Sequence, residues 1–484
     1  MRPIKKNTDP QLKPFARIKN PFWKIDNWKD ILQMAIPIFI QLSFNVIIAQ
    51  INIIAINHYQ NGVYADAVSK AVLTYVTLQF IPTLIASGSL VVCGNLIGQG
   101  RTNEIGKVII TGIIINFAIT SFIFIFVQVF ASQILDLMNA GQFHEKLPNG
   151  KTPKVFTISY YRLLNIQLLV LSLSQVWISG LQAIKKNIHV TIGAIASNIV
   201  DLIFVTLVLF AFNLDPIWSA LSICIAGVVQ LIYMLVMNLK LIDYKTHKGR
   251  HINFKMAKET FKVGLPIALE MGIWSLCNFA TGTAIAHLVI GQGGETSNPW
   301  IVLHRSINSI SQFSFAFMQA MGTVTAVMVS RKIGEGKINE AYQAGISCWK
   351  TAMYASIFFG AFMLSFAYLL LLMFNHTPQQ IIPWGFSLMA IISLKLIVDT
   401  VNMTLLRACW AVGDLWYPLI ISIITMGIGM VGLPMMIVYG FKVYEGMGLI
   451  LIYLGVVVDP LLRSIIYSTR WIKGTWTKYA KQIS

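Results

Sequence analysis

Asp399 stands in LKLIVDTVNMTLL, with Lys395 four residues before it and Asn402 three after, inside an otherwise apolar run. Glu270 in VGLPIALEM, Asp201 in SNIVDLIF with Asn198 three residues before it, and Asn52 in QINIIAIN have similar settings. A carboxylate among aliphatic side chains is costly to keep ionised, so each needs a partner: a proton, a metal cation, a basic side chain or a polar substrate. This chemistry takes up and releases cations. No His/Asp/Glu group has catalytic or ligand spacing, so an enzyme is not expected. Each residue also has a plain structural reading. Asp399 can pair with Lys395 one helical turn back. Glu270 can hydrogen-bond a neighbouring helix near the membrane surface, and Asp201 with Asn198 can belong to a helix-packing network.

The elements that must position these residues are membrane helices. Of the 484 residues, 56% are hydrophobic and 12% charged, with mean hydropathy +0.68, too apolar for a water-soluble chain of this length. A bilayer core needs roughly 20 apolar residues per helical crossing. Twelve stretches qualify: 30–56, 68–97, 106–136, 157–183, 188–212, 217–241, 260–290, 300–330, 341–374, 380–410, 415–440 and 446–468. The basic lead (1–29) is too long and charged for a cleavable signal and reads as a cytoplasmic anchor. With the N-terminus inside, Arg101, Lys107, Lys185, Lys186, the 243–258 segment, Arg331, Lys332 and Lys337 fall on the inner side, leaving few basic residues outside. Both termini are therefore expected in the cytoplasm, in a multi-pass protein of the cell membrane. The net charge of +18 is scattered over membrane-flanking loops, which fits anionic lipid head groups and not nucleic acid. The five cysteines lie in or beside apolar stretches without metal-ligand spacing and read as packing residues.

The chain repeats itself. LIGQGRTNEI (96–105) and KIGEGKINEA (332–341) put a glycine pair, a basic residue and Asn-Glu at matching places after the second and eighth stretches. Pro37 and Pro266 lie 229 residues apart, and the junctions at Lys185 and Gly413 lie 228 apart. A short insertion near GQGGETSNPW accounts for the drift. A phosphate loop would need a preceding strand, so these glycines read as helix-ending turns. A six-span repeat keeps its orientation, which predicts two lobes related about the membrane normal. The expected organisation is a basic N-terminal segment (1–29), lobes at 30–242 and 259–470, a basic linker (243–258) and a tail (471–484).

Pro37 and Pro266 near the starts of the first and seventh stretches, IGQG and IGEG after the second and eighth, and AVGDLWYP after the tenth together resemble the multidrug and toxic compound extrusion (MATE) family. The resemblance covers essentially the whole chain. It implies an all-α fold of twelve helices in two pseudo-symmetric six-helix lobes. It also implies a secondary antiporter that exports organic, often cationic and amphipathic, compounds against inward flow of Na⁺ or H⁺, with no other cofactor. It makes Asp399, fifteen residues before Asp414, a cation-site carboxylate, with Glu270 as its companion and Na⁺ as a possible occupant. Where related chains carry a glutamate eight residues after the second proline, this one has Trp274; Glu270 comes four after. Where they carry an acid fifteen residues after the first proline, this one has Asn52, which can hold Na⁺ or substrate but not a proton. Asn52, Asp201, Asn198, Asn402 and Trp274 are then expected to line the substrate cavity of a monomeric transporter. A channel would need a filter motif or a ring of subunits. The nearest rival is a flippase for lipid-linked oligosaccharide or polysaccharide; it would want more cavity cations than Lys395, Lys350 and Arg407.

Overall fold

The computed structural model describes all residues except 1, 4–23, 60–62, 137–146, 149, 245–253, 289–298, 375–378, 380 and 484. Most of the basic lead, most of the linker, and the insertion at 291–298 lie outside the described residues.

In hydrocarbon every backbone N–H and C=O must pair within the chain, so apolar runs of this length become helices. The described chain is almost entirely helical, apart from a short antiparallel pairing of β1 (Arg2–Pro3) with β2 (Lys481–Gln482). Its helices are α1 (Trp28–His58), α2 (Ala65–Val76), α3 (Thr83–Gly98), α4 (Ile105–Asp136), α5 (Pro153–Leu164), α6 (Ile166–Ala183), α7 (Asn187–Thr206) and α8 (Ala220–Leu241). After these come α9 (Phe254–Ala286), α10 (Pro299–Gly334), α11 (Ile338–Ser365), α12 (Ala367–Leu372), α13 (Phe386–Val412), α14 (Trp416–Met426) and α15 (Glu445–Lys473).

Ten helical stretches among the described residues are long and apolar enough to cross a membrane. The other two expected from sequence are helical as well. The second is divided into α2 and α3, with Pro82 capping the start of α3. The ninth is α11 followed by α12, and α11 carries Lys350 and a high share of polar residues.

The repeat is visible in backbone geometry. Gly100 (φ 77°) and Gly336 (φ 76°) take the left-handed conformation after α3 and α10, as does Gly413 (φ 93°) after α13. Each turn closes the same way: Arg101 N–H donates to Leu96 C=O, Lys337 to Lys332 and Asp414 to Cys409. These 6→1 bonds satisfy carbonyls that a helix end would otherwise leave open. Only the second glycine of each pair adopts the turn conformation; Gly98 and Gly334 are the last residues of their helices. Lys185 (φ 62°) occupies the equivalent place after α6, where Lys186 N–H donates to Leu181 C=O.

The fifth and eleventh stretches also end alike. Leu207–Ala211 and Met436–Gly440 are π-helical, and Asn213 and Lys442 follow with positive φ. Both features recur 229 residues apart, the spacing of the two prolines.

The chain divides into two compact units, Ile40–Ala268 and Met1–Phe39 with Leu269–Ser484. The division falls two residues after Pro37 in α1 and two after Pro266 in α9. In the first unit, Tyr64, Phe156, Tyr160, Leu168 and Leu209 form a buried core. In the second, Leu303, Ile307, Leu388, Leu449 and Ile452 do so.

Candidate functional site: two sets of buried polar side chains

Within Ile40–Ala268, α1 and α7 bring Asn52 and Asp201 together. Asn52 Nδ2 donates to Asp201 Oδ2 at 2.8 Å. Asp201 is buried, and no Lys, Arg or His among the described residues forms an ion pair with it. Among the described residues its other oxygen, Oδ1, is buried without a well-formed hydrogen bond, the nearby Ser222 hydroxyl donating to Ser219 C=O at 2.7 Å, and Oδ1 of Asn52 is buried without a donor too. Asn198, one turn before Asp201, instead donates to Asn45 Oδ1 at 2.9 Å on a more open face. The helical spacing thus places Asn198 beside Asp201 without bonding the two. Two hard oxygen acceptors lacking donors suit a small cation, or a proton on the carboxylate.

Within the other unit the acids are matched to bases. Lys395 Nζ lies 3.3 Å from Asp399 Oδ2, one turn apart on α13. Asn402 donates to Asp399 Oδ1 at 2.8 Å and to Pro460 C=O at 3.3 Å, which ties α13 to α15. Glu270 of α9 accepts from Arg463 Nη1 at 3.1 Å, while Nη2 of the same guanidinium donates to Asp459 Oδ2 at 2.5 Å. Arg463 is therefore a hub between α9 and α15, with all three side chains buried. The i, i+4 pairing of Asp459 with Arg463 is readable from sequence. The third partner is not, because nothing in the spacing says that Glu270 of another helix reaches the same guanidinium.

The fit of Na⁺ differs between the two places. At Asn52–Asp201 the free acceptor oxygens accommodate a cation directly. At Glu270 and Asp399, oxygens a cation would use already face Arg463 and Lys395, so a cation there has to displace a basic side chain. Among the described residues no group of three or more His, Cys, Asp and Glu is placed to hold a metal ion.

Trp274 stacks its ring on Phe315 of α10, 6.2 Å between centroids and 10° between planes. His304 turns inward: its Nδ1 lies 2.8 Å from the Tyr453 hydroxyl and its Nε2 takes a hydrogen bond from Asn308 at 3.0 Å. Trp410 and Phe317 are buried, whereas Phe313 is exposed. At the second glycine turn, burial works against ionisation of Glu335. Lys332 at 3.0 Å and Lys337 at 3.3 Å outweigh it and hold that carboxyl below its ordinary range.

Comparison with known proteins gives this architecture a family. No match was found among curated proteins. Among solved structures, a MOP superfamily transporter from Pyrococcus furiosus, described as having a binding pocket of reverse polarity, superposes with a TM-score of 0.78 at 15% identity. The match covers 97% of this chain and 100% of that one. A MATE transporter in its straight conformation superposes with a TM-score of 0.80 at 16% identity, over 96% of this chain and 99% of the other. The eukaryotic MATE transporter AtDTX14 gives 0.75 at 17%, over 94% and 97%. At these identities the likeness concerns the fold alone, twelve helices in two lobes. The MatE family model matches residues 37–207 and 266–435, one copy beginning at each repeat proline, and on that match the chain belongs to the MatE family of membrane transporters.

Proposed function

We propose that this transporter is a secondary antiporter of the cell membrane. It exports amphipathic, multidrug-type organic compounds by alternating access, with inward Na⁺ or H⁺ flow as the driving force. The lobes are residues 30–242 and 259–470, and both termini face the cytoplasm. The observation that carries the reading is the Asn52–Asp201 pair: two buried oxygens on two spans that, among the described residues, have no donor and no basic side chain paired to the carboxylate. A charge in that setting is costly unless a cation or proton visits it, and such visits are what an ion-coupled transporter requires. Asp201 carries the charge and Asn52 the second oxygen; a bound cation supplies the positive charge whose downhill movement does the work.

Glu270 and Asp399 are a second coupling place, where the ion competes with resident bases. An incoming cation would release Lys395 from Asp399 or Arg463 from Glu270, and the freed base would then favour a different packing of α9, α13 and α15. The fold alone also accommodates a lipid-linked saccharide flippase, which would not need a cation-accepting pair like Asn52–Asp201.

Reconstituted vesicles test the proposal. Substrate-dependent Na⁺ or H⁺ flux is expected, together with uphill dye movement under an imposed gradient. Dye movement indifferent to both gradients would sink the antiport reading and leave only the family assignment.

A further inference from the structure

One basic side chain left over from the pairing described above is Arg407, on α13 six residues before the Gly413 turn and so about 9 Å from that helix end. Among the described residues it makes no hydrogen bond or ion pair. Its guanidinium carbon lies over Trp410, 4.9 Å from the ring centroid. Trp410 is itself buried, and its indole N–H has no acceptor among the described residues. Two neighbouring donors thus lack an acceptor.

The backbone of α10 packs closely beside them. Gly322 of α10 faces Arg407, and a Cβ there would come 3.3 Å from Arg407 Cγ and 2.8 Å from the Met403 carbonyl oxygen. The same face of α10 carries Gln312, Phe315, Gln319 and Thr323 at helical spacing, all exposed or half-exposed. The two glutamine amides have no partner among the described residues. Amides and a guanidinium left open within spans face water-filled volume and not lipid. Midway along this stripe the Trp274–Phe315 stack offers a flat aromatic surface. A track of amides and aromatic rings therefore ends at a guanidinium whose donors are free.

We propose that Arg407, with Trp410 behind it and the α10 stripe leading to it, receives the anionic group of an aromatic, amphipathic compound carried by this transporter. This deepens the transport reading and rests on it. A guanidinium offers a carboxylate a planar fork of two N–H donors, which an ammonium cannot match. The rings of the same compound lie against Trp274 and Phe315. The other role open to Arg407 is as a second positive charge near Glu270, beside Arg463. That role would affect the stability of the bundle and every ligand alike.

The test uses two dyes that differ only in one group, rhodamine 110 with a free carboxylate and rhodamine 123 with its methyl ester, titrated by fluorescence anisotropy into the purified full-length protein. Wild type is expected to bind rhodamine 110 about tenfold more tightly. Arg407→Gln should remove that preference while leaving rhodamine 123 unchanged. Arg407→Lys should lose most of it because the fork is gone, and it decides the matter if Arg407→Gln does not fold. No preference in wild type, no binding of either dye, or equal weakening of both dyes in the folded variants overturns the proposal. Binding needs no ion gradient, so it is read separately from vesicle flux. Preference without gradient-driven transport would defeat the antiport reading alone, and transport without preference would defeat this inference alone.

Discussion

The two units hold their buried acids in opposite ways. In Ile40–Ala268, Asp201 rests on a neutral amide and keeps an oxygen without a donor. In the other unit, Glu270, Asp399 and Asp459 each meet a basic side chain. Two copies of one six-helix design have thus diverged in charge chemistry while keeping backbone geometry, down to the paired π-helical segments. The difference teaches that a carboxylate inside a span is not by itself a coupling site. Its neighbours decide whether it is free to receive an ion or is already neutralised, since desolvation makes the ionised form depend on what lies within a few ångströms.

The largest expected effect comes from breaking the paired side of this contrast. Arg463→Gln strands both Glu270 and Asp459, and removing one member of a buried ion network costs about 3–5 kcal/mol. Thermal unfolding in detergent should fall accordingly, and adding Glu270→Gln and Asp459→Asn should recover most of the loss. A stable single variant would mean that water or a movable cation reaches the hub.

On the unpaired side, Asp201→Asn keeps the side chain's shape and removes its charge. Gradient-driven dye export should drop tenfold or more while the melting temperature holds, because no basic partner among the described residues is left behind. Export that survives the change would move coupling to the other unit.

Lys395 and Asp399 sharpen the comparison with a smaller effect. Asp399→Asn alone leaves an ammonium without its carboxylate, and Lys395 is only partly buried, so a stability loss of about 1–2 kcal/mol is expected. The double variant Lys395→Met with Asp399→Asn should regain stability. Recovered export in the double variant marks a structural pair, and continued loss with a stable fold marks Asp399 as a coupling carboxylate.

The smallest effect tests the repeat itself. Lys185 takes the left-handed conformation that Gly413 takes in the other half. Lys185→Gly should relieve the side-chain clash and stabilise by up to about 1 kcal/mol, with export unchanged. A destabilised variant would show that the lysine side chain, not the backbone turn, holds that junction.

Much of the architecture was legible in the residues. Apolar run length located the helices, because unpaired backbone groups cannot remain in hydrocarbon. The glycine pairs, the prolines and Lys185 against Gly413 located the repeat, because left-handed turns and proline-bearing helices impose local requirements that residue types reveal. The i, i+4 pairs Lys395–Asp399 and Asp459–Arg463 were readable for the same reason, since helical periodicity fixes which side chains on one helix can meet.

Only the tertiary structure decided which helices share a charge. Glu270 and Arg463 are 193 residues apart, and no periodicity links them; their meeting depends on how α9 and α15 pack. The same holds for Asn52 and Asp201, 149 residues apart, and for Gly322 lying against Arg407. Spacing suggested Asn198 beside Asp201, yet packing against α1 gave Asp201 to Asn52 and Asn198 to Asn45. Helix geometry is set by short-range hydrogen bonds that each segment makes with itself. Pairing across helices is set by shape and by the cost of leaving a polar atom without a partner, and both depend on residues far away in the chain.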